Sequence, residues 1–241
     1  MECEEKQMAN SRDLRTKAIV LRRTDYGEAD RILQLLTPSG KRSVIARGVR
    51  KEKSKLAGGI ELFSVSDVLI HAGRSDLGVL TGARLVEYYD ALVKDLDLIE
   101  QGGNLMKAVS NLSEHVDSPE FFDIVCQVFR VMQKHAEDEN GGWKDVLRSW
   151  WGLNLLRASG EEVNLRFDTN GEKLVADGRY YWDAENVALA PAKAGRVNAE
   201  HIKLMRIMQS GPAELALKVK GADALIDEVS YIVRCAEKAT G

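Results

Sequence analysis

The chain has 241 residues, 44% of them hydrophobic, with a formal net charge of −3. This is enough apolar content to bury a real core, in one large domain or two small ones. No apolar run approaches the roughly 18 residues that span a bilayer, and the opening residues are polar and acidic, unlike a secretory leader; a soluble cytoplasmic protein is predicted. Cys3, Cys126 and Cys235 are three scattered thiols without CxxC spacing, which excludes a disulfide framework and a cysteine zinc cage on sequence grounds.

In chain order, residues 1–15 read as a flexible extension. Residues 16–23 begin a strand with Ala18, Ile19, Val20 and Leu21, and residues 31–37 are Ile/Leu-rich. Pro38, Ser39 and Gly40 mark a turn by their backbone preferences. Residues 42–47 alternate in part, sending Arg42, Val44 and Ala46 to one face and Ser43, Ile45 and Arg47 to the other. Two further runs, 60–71 and 76–89, are separated by Ala72, Gly73, Arg74 and Ser75. Five short strands with glycine at the joints suit a small β-barrel, the oligonucleotide-binding (OB) design being the commonest.

From about Lys94 the period becomes helical. Phe121, Phe122, Val125, Val128, Phe129 and Met132 fall on one helix face, preceded by Ser118, Pro119 and Glu120 as start signals. Leu225, Ile226, Val229, Ile232, Val233 and Ala236 repeat those offsets, Trp143, Val146, Leu147, Trp150 and Trp151 mark another helix, and 98–112 and 199–208 are weaker candidates. Helical spacing assigns the tryptophans to core packing rather than to stacking on bases. Residues 164–191, rich in Asn, Asp and Gly, read as an irregular or short-stranded insert. The predicted fold class is therefore α+β: an OB barrel over 16–90, then a mainly helical domain over 91–241 carrying the insert.

Charge is distributed unevenly. Residues 12–55 hold thirteen Lys or Arg against five acids, a net +8 that leaves −11 for the rest of the chain. Such a basic segment points to a polyanion partner. The candidate nucleic-acid contacts are Arg22, Arg23, Arg31, Lys41, Arg42, Arg47, Arg50, Lys51, Lys53 and Lys55, with Tyr26 and Phe63 the main stacking candidates in the strand region before the pair Tyr88 and Tyr89. Glu28 and Asp30 are read as partners of Arg22, Arg23 or Arg31, or as turn caps, rather than as metal ligands.

Catalytic apparatus is missing from the sequence. His71, His115, His135 and His201 are dispersed, with no HExxH, and there is no GxSxG elbow. Gly40-Lys41 is no phosphate loop, because Arg42 stands where Ser or Thr is required and Leu35 replaces the leading glycine. A non-enzymatic protein without cofactors is expected.

The ordered features Ala18-Ile19-Val20-Leu21, then Tyr26, Glu28 and Asp30, then residues 33–37, Gly40-Lys41, the triplet Ala46-Arg47-Gly48 with basic residues after it, and Gly58 resemble the N-terminal signature of the RecO family of bacterial DNA repair proteins. The likeness is specific over roughly residues 16–90 and one of pattern over the rest. It implies an OB fold, a helical second domain, and binding of single- and double-stranded DNA with annealing of complementary strands. Its implied partners are RecR, the C-terminal tail of the single-stranded-DNA-binding protein and, indirectly, RecA; the implied location is the cytoplasm, at the nucleoid. An apolar-walled helix with cations at its flank would suit the acidic tail, which singles out Arg130 and Lys134. Many similar proteins hold a structural zinc through paired cysteines in the insert. Here residues 166–171 carry no cysteine, so no zinc is predicted. The alternatives from the residues alone are an RNA-binding OB protein and a protein-interaction adaptor.

Overall fold

The computed structural model describes residues 13–72 and 77–240. Residues 1–12, and with them most of the expected flexible extension, lie outside the described residues, as do Gly73, Arg74 and Ser75 of the expected last turn and Asp76, the expected start of the strand after it.

Five strands form a closed barrel: β1 (Asp13–Tyr26), β2 (Asp30–Thr37), β3 (Gly40–Ala46), β4 (Ser64–His71) and β5 (Leu77–Tyr88), in the order β1-β2-β3-β5-β4. All neighbours are antiparallel except the β3–β5 pair, which is the topology of an OB barrel. β1 serves two partners, pairing β4 through Asp13 to Ala18 and β2 through Ile19 to Tyr26, with a register shift between Val20 and Arg22. Such a shift bends a strand, and here it divides β1 between its two neighbours. Alternation sends Ala18, Val20, Leu33, Leu35, Val44, Ala46, Val68, Ile70 and Leu80 inward. A short 3-10 turn at Ala57–Gly59, followed by Ile60, closes this core from the β3–β4 connection. Gly59 is required there, since a Cβ would lie 2.6 Å from the Ala83 carbonyl carbon.

The expected strand over 60–71 is shorter than its sequence suggests. Ser64 is its first strand residue, because Phe63 takes a left-handed backbone (φ 53°) that breaks the extended run. Its ring is buried edge-on to Phe129 at 5.6 Å.

The chain divides into two compact units, the first ending at Gln133 and the second beginning at Lys134. Helix α1 (Leu96–Leu112) and all but the last two residues of α2 (Glu120–His135) thus belong to the barrel's unit. Asp95 caps α1, its carboxylate accepting from the N–H groups of Asp97 and Leu98, and such a cap contributes about 1 kcal/mol. At the other end of α1, Lys41 Nζ donates to the Ser110 carbonyl at 3.1 Å, while Ser110 Oγ and Gln34 Oε1 lie 3.2 Å apart.

The second unit contains α3 (Gly142–Ala158), α4 (Ala199–Ser210), the short α5 (Ala213–Leu217), α6 (Ile226–Thr240) and a hairpin of β6 (Tyr180–Asp183) and β7 (Ala188–Pro191). α3 is buried almost all round, with Trp143, Trp150 and Trp151 each at most 8% exposed. Three of its buried polar side chains are matched: Trp150 Nε1 donates to the Gly211 carbonyl, Asn154 Nδ2 donates to the Trp150 and Met208 carbonyls, and Ser149 and Ser230 share a hydrogen bond, whereas the indole N–H groups of Trp143 and Trp151 have no acceptor among the described residues. Pairing matters because an unmatched buried polar group costs about 1–3 kcal/mol. Beyond the hairpin, the insert is held by carboxylate and amide turns. Asp168 Oδ1 accepts from the N–H groups of Asn170 and Glu172, and Asn164 Oδ1 from those of Arg166 and Phe167.

Within residues 166–171, which carry no cysteine, the Asp168 Oδ1 oxygen is thus already taken by backbone donors. Among the described residues no group of three or more His, Cys, Asp or Glu side chains converges.

Candidate nucleic-acid interface

The basic residues fall into three places rather than one. The first is built by the β1–β2 turn and the β3–β4 connection, which the backbone ties together. Arg50 N donates to the Ala29 carbonyl at 2.9 Å, and Gly48 N donates to Asp30 Oδ1 at 2.7 Å. Gly48 sits at φ 63°, a left-handed conformation that glycine adopts without steric cost. Asp30 is therefore a turn cap, holding the loop that follows β3 against the start of β2. Around this junction stand Arg31, Arg47, Arg50, Lys51, Lys53 and Lys55. All but the half-buried Arg31 are exposed. Tyr26, paired with Asp30 across the turn, is 55% exposed.

One acid restrains part of this group. Asp25 accepts from Arg31 Nε at 2.9 Å and lies 3.5 Å from an Arg50 guanidinium nitrogen. The Arg31 hydrogen bond, helped by the charge of Arg50, holds the Asp25 carboxyl below its usual range. By contrast, the side chains of Arg22, Arg47, Lys51, Lys53 and Lys55 make no hydrogen bond or ion pair among the described residues.

The second place lies along β1. Arg22 and Arg23, with Lys107 of α1, rim a cleft of about 630 Å³ over Leu21, Leu62 and Met106. Arg23 also pairs with Glu61 at 3.1 Å. Lys107 escapes sequence reasoning, because nothing in a helical stretch of mixed polarity shows which strand it will face. The third place is the opposite end of β3. Lys41 is occupied by the end of α1 and by Glu114 at 3.4 Å, and Arg42 donates to the carbonyls of Lys41 and Ser39. Some 20 Å of strand separate these two from the loop group.

The aromatic expectations divide as well. Phe63 is 4% exposed and cannot meet a base; its hydrophobicity is used in the core, where Gly102 of α1 gives its ring room. Tyr89 is buried too, donating to Glu87, and burial raises its pKa. Tyr88 is 43% exposed.

Arg130 and Lys134, the candidate cations for an acidic tail, are both engaged. Arg130 contacts both Glu87 oxygens, at 2.9 and 3.2 Å, and Lys134 contacts both Glu214 oxygens at 2.8 Å. These hydrogen bonds depress the pKa of each carboxylate. An acidic peptide docking on either cation would have to displace the resident carboxylate.

The chain matches two family models, "Recombination protein O N terminal" over residues 8–89 and "Recombination protein O C terminal" over residues 95–237. Relatives named "DNA repair protein RecO" include one from a Roseiflexus strain, 30% identical over 228 residues, covering 91% of this chain and 78% of the relative. Another, from Dehalococcoides mccartyi, is 28% identical over 235 residues, covering 94% and 90%. A third, from Synechococcus elongatus, is 40% identical over a shorter span of 119 residues, 48% of this chain and 44% of the relative.

Proposed function

The chain belongs to the RecO family of DNA repair and recombination proteins, and from that premise we propose that it is a non-enzymatic recombination mediator which binds DNA through the β1–β2 turn and the β3–β4 loop. The observation that carries this reading is the exposed, unpaired quartet Arg47, Lys51, Lys53 and Lys55, tied against a turn that presents Tyr26.

Annealing complementary strands requires no bond to be made or broken. A protein speeds it by neutralising phosphates, bringing two strands together and leaving their base edges free. The loop supplies the neutralising charge, and Tyr26 one aromatic surface. Aromatic stacking contributes roughly 1–3 kcal/mol per base, so a site with few exposed rings binds mainly through phosphates and with little sequence preference. In this role the protein works with RecR on DNA coated by the single-stranded-DNA-binding protein, contacts that protein's C-terminal tail, and assists RecA loading. It does so in the cytoplasm at the nucleoid. Consistent with that location, no helix among the described residues is long and apolar enough to cross a membrane.

Charge reversal at Arg47, Arg50 and Lys51 tests the assignment. Each phosphate contact on a single strand contributes about −0.7 to the slope of log affinity against log salt, so losing three flattens it by about 2. Because Arg50 also anchors the turn, a companion variant Arg47→Ala/Lys51→Ala/Lys53→Ala leaves that anchor intact and is expected to flatten the slope similarly. Unchanged affinity and slope in both folded variants would remove the loop from the DNA site.

A further inference from the structure

A second aromatic site lies in the second unit. Tyr181 of β6 and Tyr231 of α6, 48% and 49% exposed, line one cavity of about 560 Å³ together with Trp182, Arg196, Asp227 and Glu228. Large aromatic rings usually go inside; two half-exposed tyrosines facing the same cavity leave flat apolar surface open to a ligand. Trp182 is 6% exposed, and its indole N–H has no acceptor among the described residues. The cavity's volume falls within the range of small-molecule sites.

The side chains of Arg196, Asp227 and Glu228 make no hydrogen bond or ion pair among the described residues, although Glu228 lies near enough to His201 to oppose the lowering of its pKa by burial. The two carboxylates stand in the first turn of α6, where the helix end offers about half a positive charge. With Arg196 and the helix end set against the two carboxylates, the site keeps only about half a negative charge, so a simple cation gains little there and a phosphate has its one favourable place at Arg196. What the groups fit is a flat ligand that donates hydrogen bonds at one edge and carries an anion at another.

We propose that this cavity holds one nucleotide of a single-stranded DNA, with the base on Tyr181 and Tyr231, an exocyclic amine donating to Asp227 or Glu228, and a phosphate on Arg196. The proposal rests on the DNA-binding function given above and adds to it a stacking site outside the barrel. It also predicts a base preference. Cytosine, adenine and guanine carry an exocyclic amine and thymine does not, so the carboxylates favour an oligo-dC strand over oligo-dT.

The test is fluorescence anisotropy of the full chain with labelled dC and dT 20-mers. Tyr181→Ala/Tyr231→Ala is expected to weaken dC binding about tenfold. Tyr181→Phe/Tyr231→Phe, which keeps both rings, is expected to bind within about twofold of the parent. Asp227→Ala/Glu228→Ala, which removes both acceptors, is expected to abolish the preference for dC over dT without lowering dT affinity. The proposal is overturned if the folded alanine pair binds both oligonucleotides as the parent does. A cavity that instead takes up an oligo-arginine peptide, with that uptake lost on Asp227→Asn/Glu228→Gln, also overturns it. The loop variants separate the two readings: if they lose DNA while the tyrosine pair does not, the loop assignment stands and the cavity assignment falls.

Discussion

Asp25 is the residue that sets how much of the loop's charge is available. Its carboxylate holds Arg31 and lies beside Arg50, competing with phosphates for both cations. Asp25→Asn removes one negative charge from the junction and loosens both guanidinium groups. The expected outcome is tighter single-strand binding at low salt, with a slope steeper by about 0.7 for each additional phosphate engaged; a titration across salt concentrations checks it, and an unchanged slope would show that Arg31 and Arg50 do not reach the DNA. At this scale the sequence was informative about residue type and poor about residue company. The excess of cations in residues 12–55 was plain from composition. That Lys41 would be taken by a carbonyl of α1, and Arg130 and Lys134 by Glu87 and Glu214, depends on long-range pairing that no local spacing records. Phe63 shows the same limit: an aromatic at the start of a strand-like run gives no sign that its backbone will turn left-handed and bury the ring.

Among the elements, the barrel strands and long helices followed directly from periodicity. Inward alternation along β2 and β3 and the one-face repeat in α2 are strong local signals. The β1 register shift and the late start of β4 are not, since each arises where the chain changes partners. The insert was legible as irregular or short-stranded, but not where its strands lie, since β6 and β7 are only 4 residues each around a turn bent by Val187 at φ 49°. The packing of α1 gives a sharp test. A Cβ on Gly102 would lie 2.6 Å from Phe63 Cε1. Gly102→Ala gains about 1 kcal/mol in helix propensity, but overpacking a buried site costs about 1–3 kcal/mol. Phe63 is held between Phe129 and the barrel and has little freedom to yield, so the clash prevails. A net destabilisation of about 1 kcal/mol is expected in chemical denaturation; a more stable variant would show that the α1 contact is loose.

For the whole molecule, the pH dependence of stability follows from several groups acting together. Burial lowers the pKa of His201, so its protonated form is disfavoured in the folded chain. Its contribution is complete above the ordinary histidine value of about 6.5 and is lost as pH falls through the folded value. Asp25, Glu87, Asp90 and Glu214 are each depressed, chiefly by hydrogen bonds from Arg31, Arg130, Lys94 and Lys134. Their contributions are complete above the ordinary carboxylate range near 4 and are lost as pH falls through their folded values. The melting temperature should therefore decline in two steps, a shallow one beginning below about pH 6.5 and a steeper one below about pH 4. His201→Asn should remove only the first; if the first step persists, another group is responsible.

On the proposed function, the basic junction of the barrel promotes pairing of DNA strands without chemistry. Fluorescence-monitored annealing of two complementary oligonucleotides, coated with the cognate single-stranded-DNA-binding protein and followed across a salt series, tests it most directly. The expected result is an acceleration that weakens as salt rises and is lost on charge reversal at Arg47, Arg50 and Lys51. Absence of acceleration, with naked single strands also unbound, would contradict the account and leave the family relationship without this activity in the present chain.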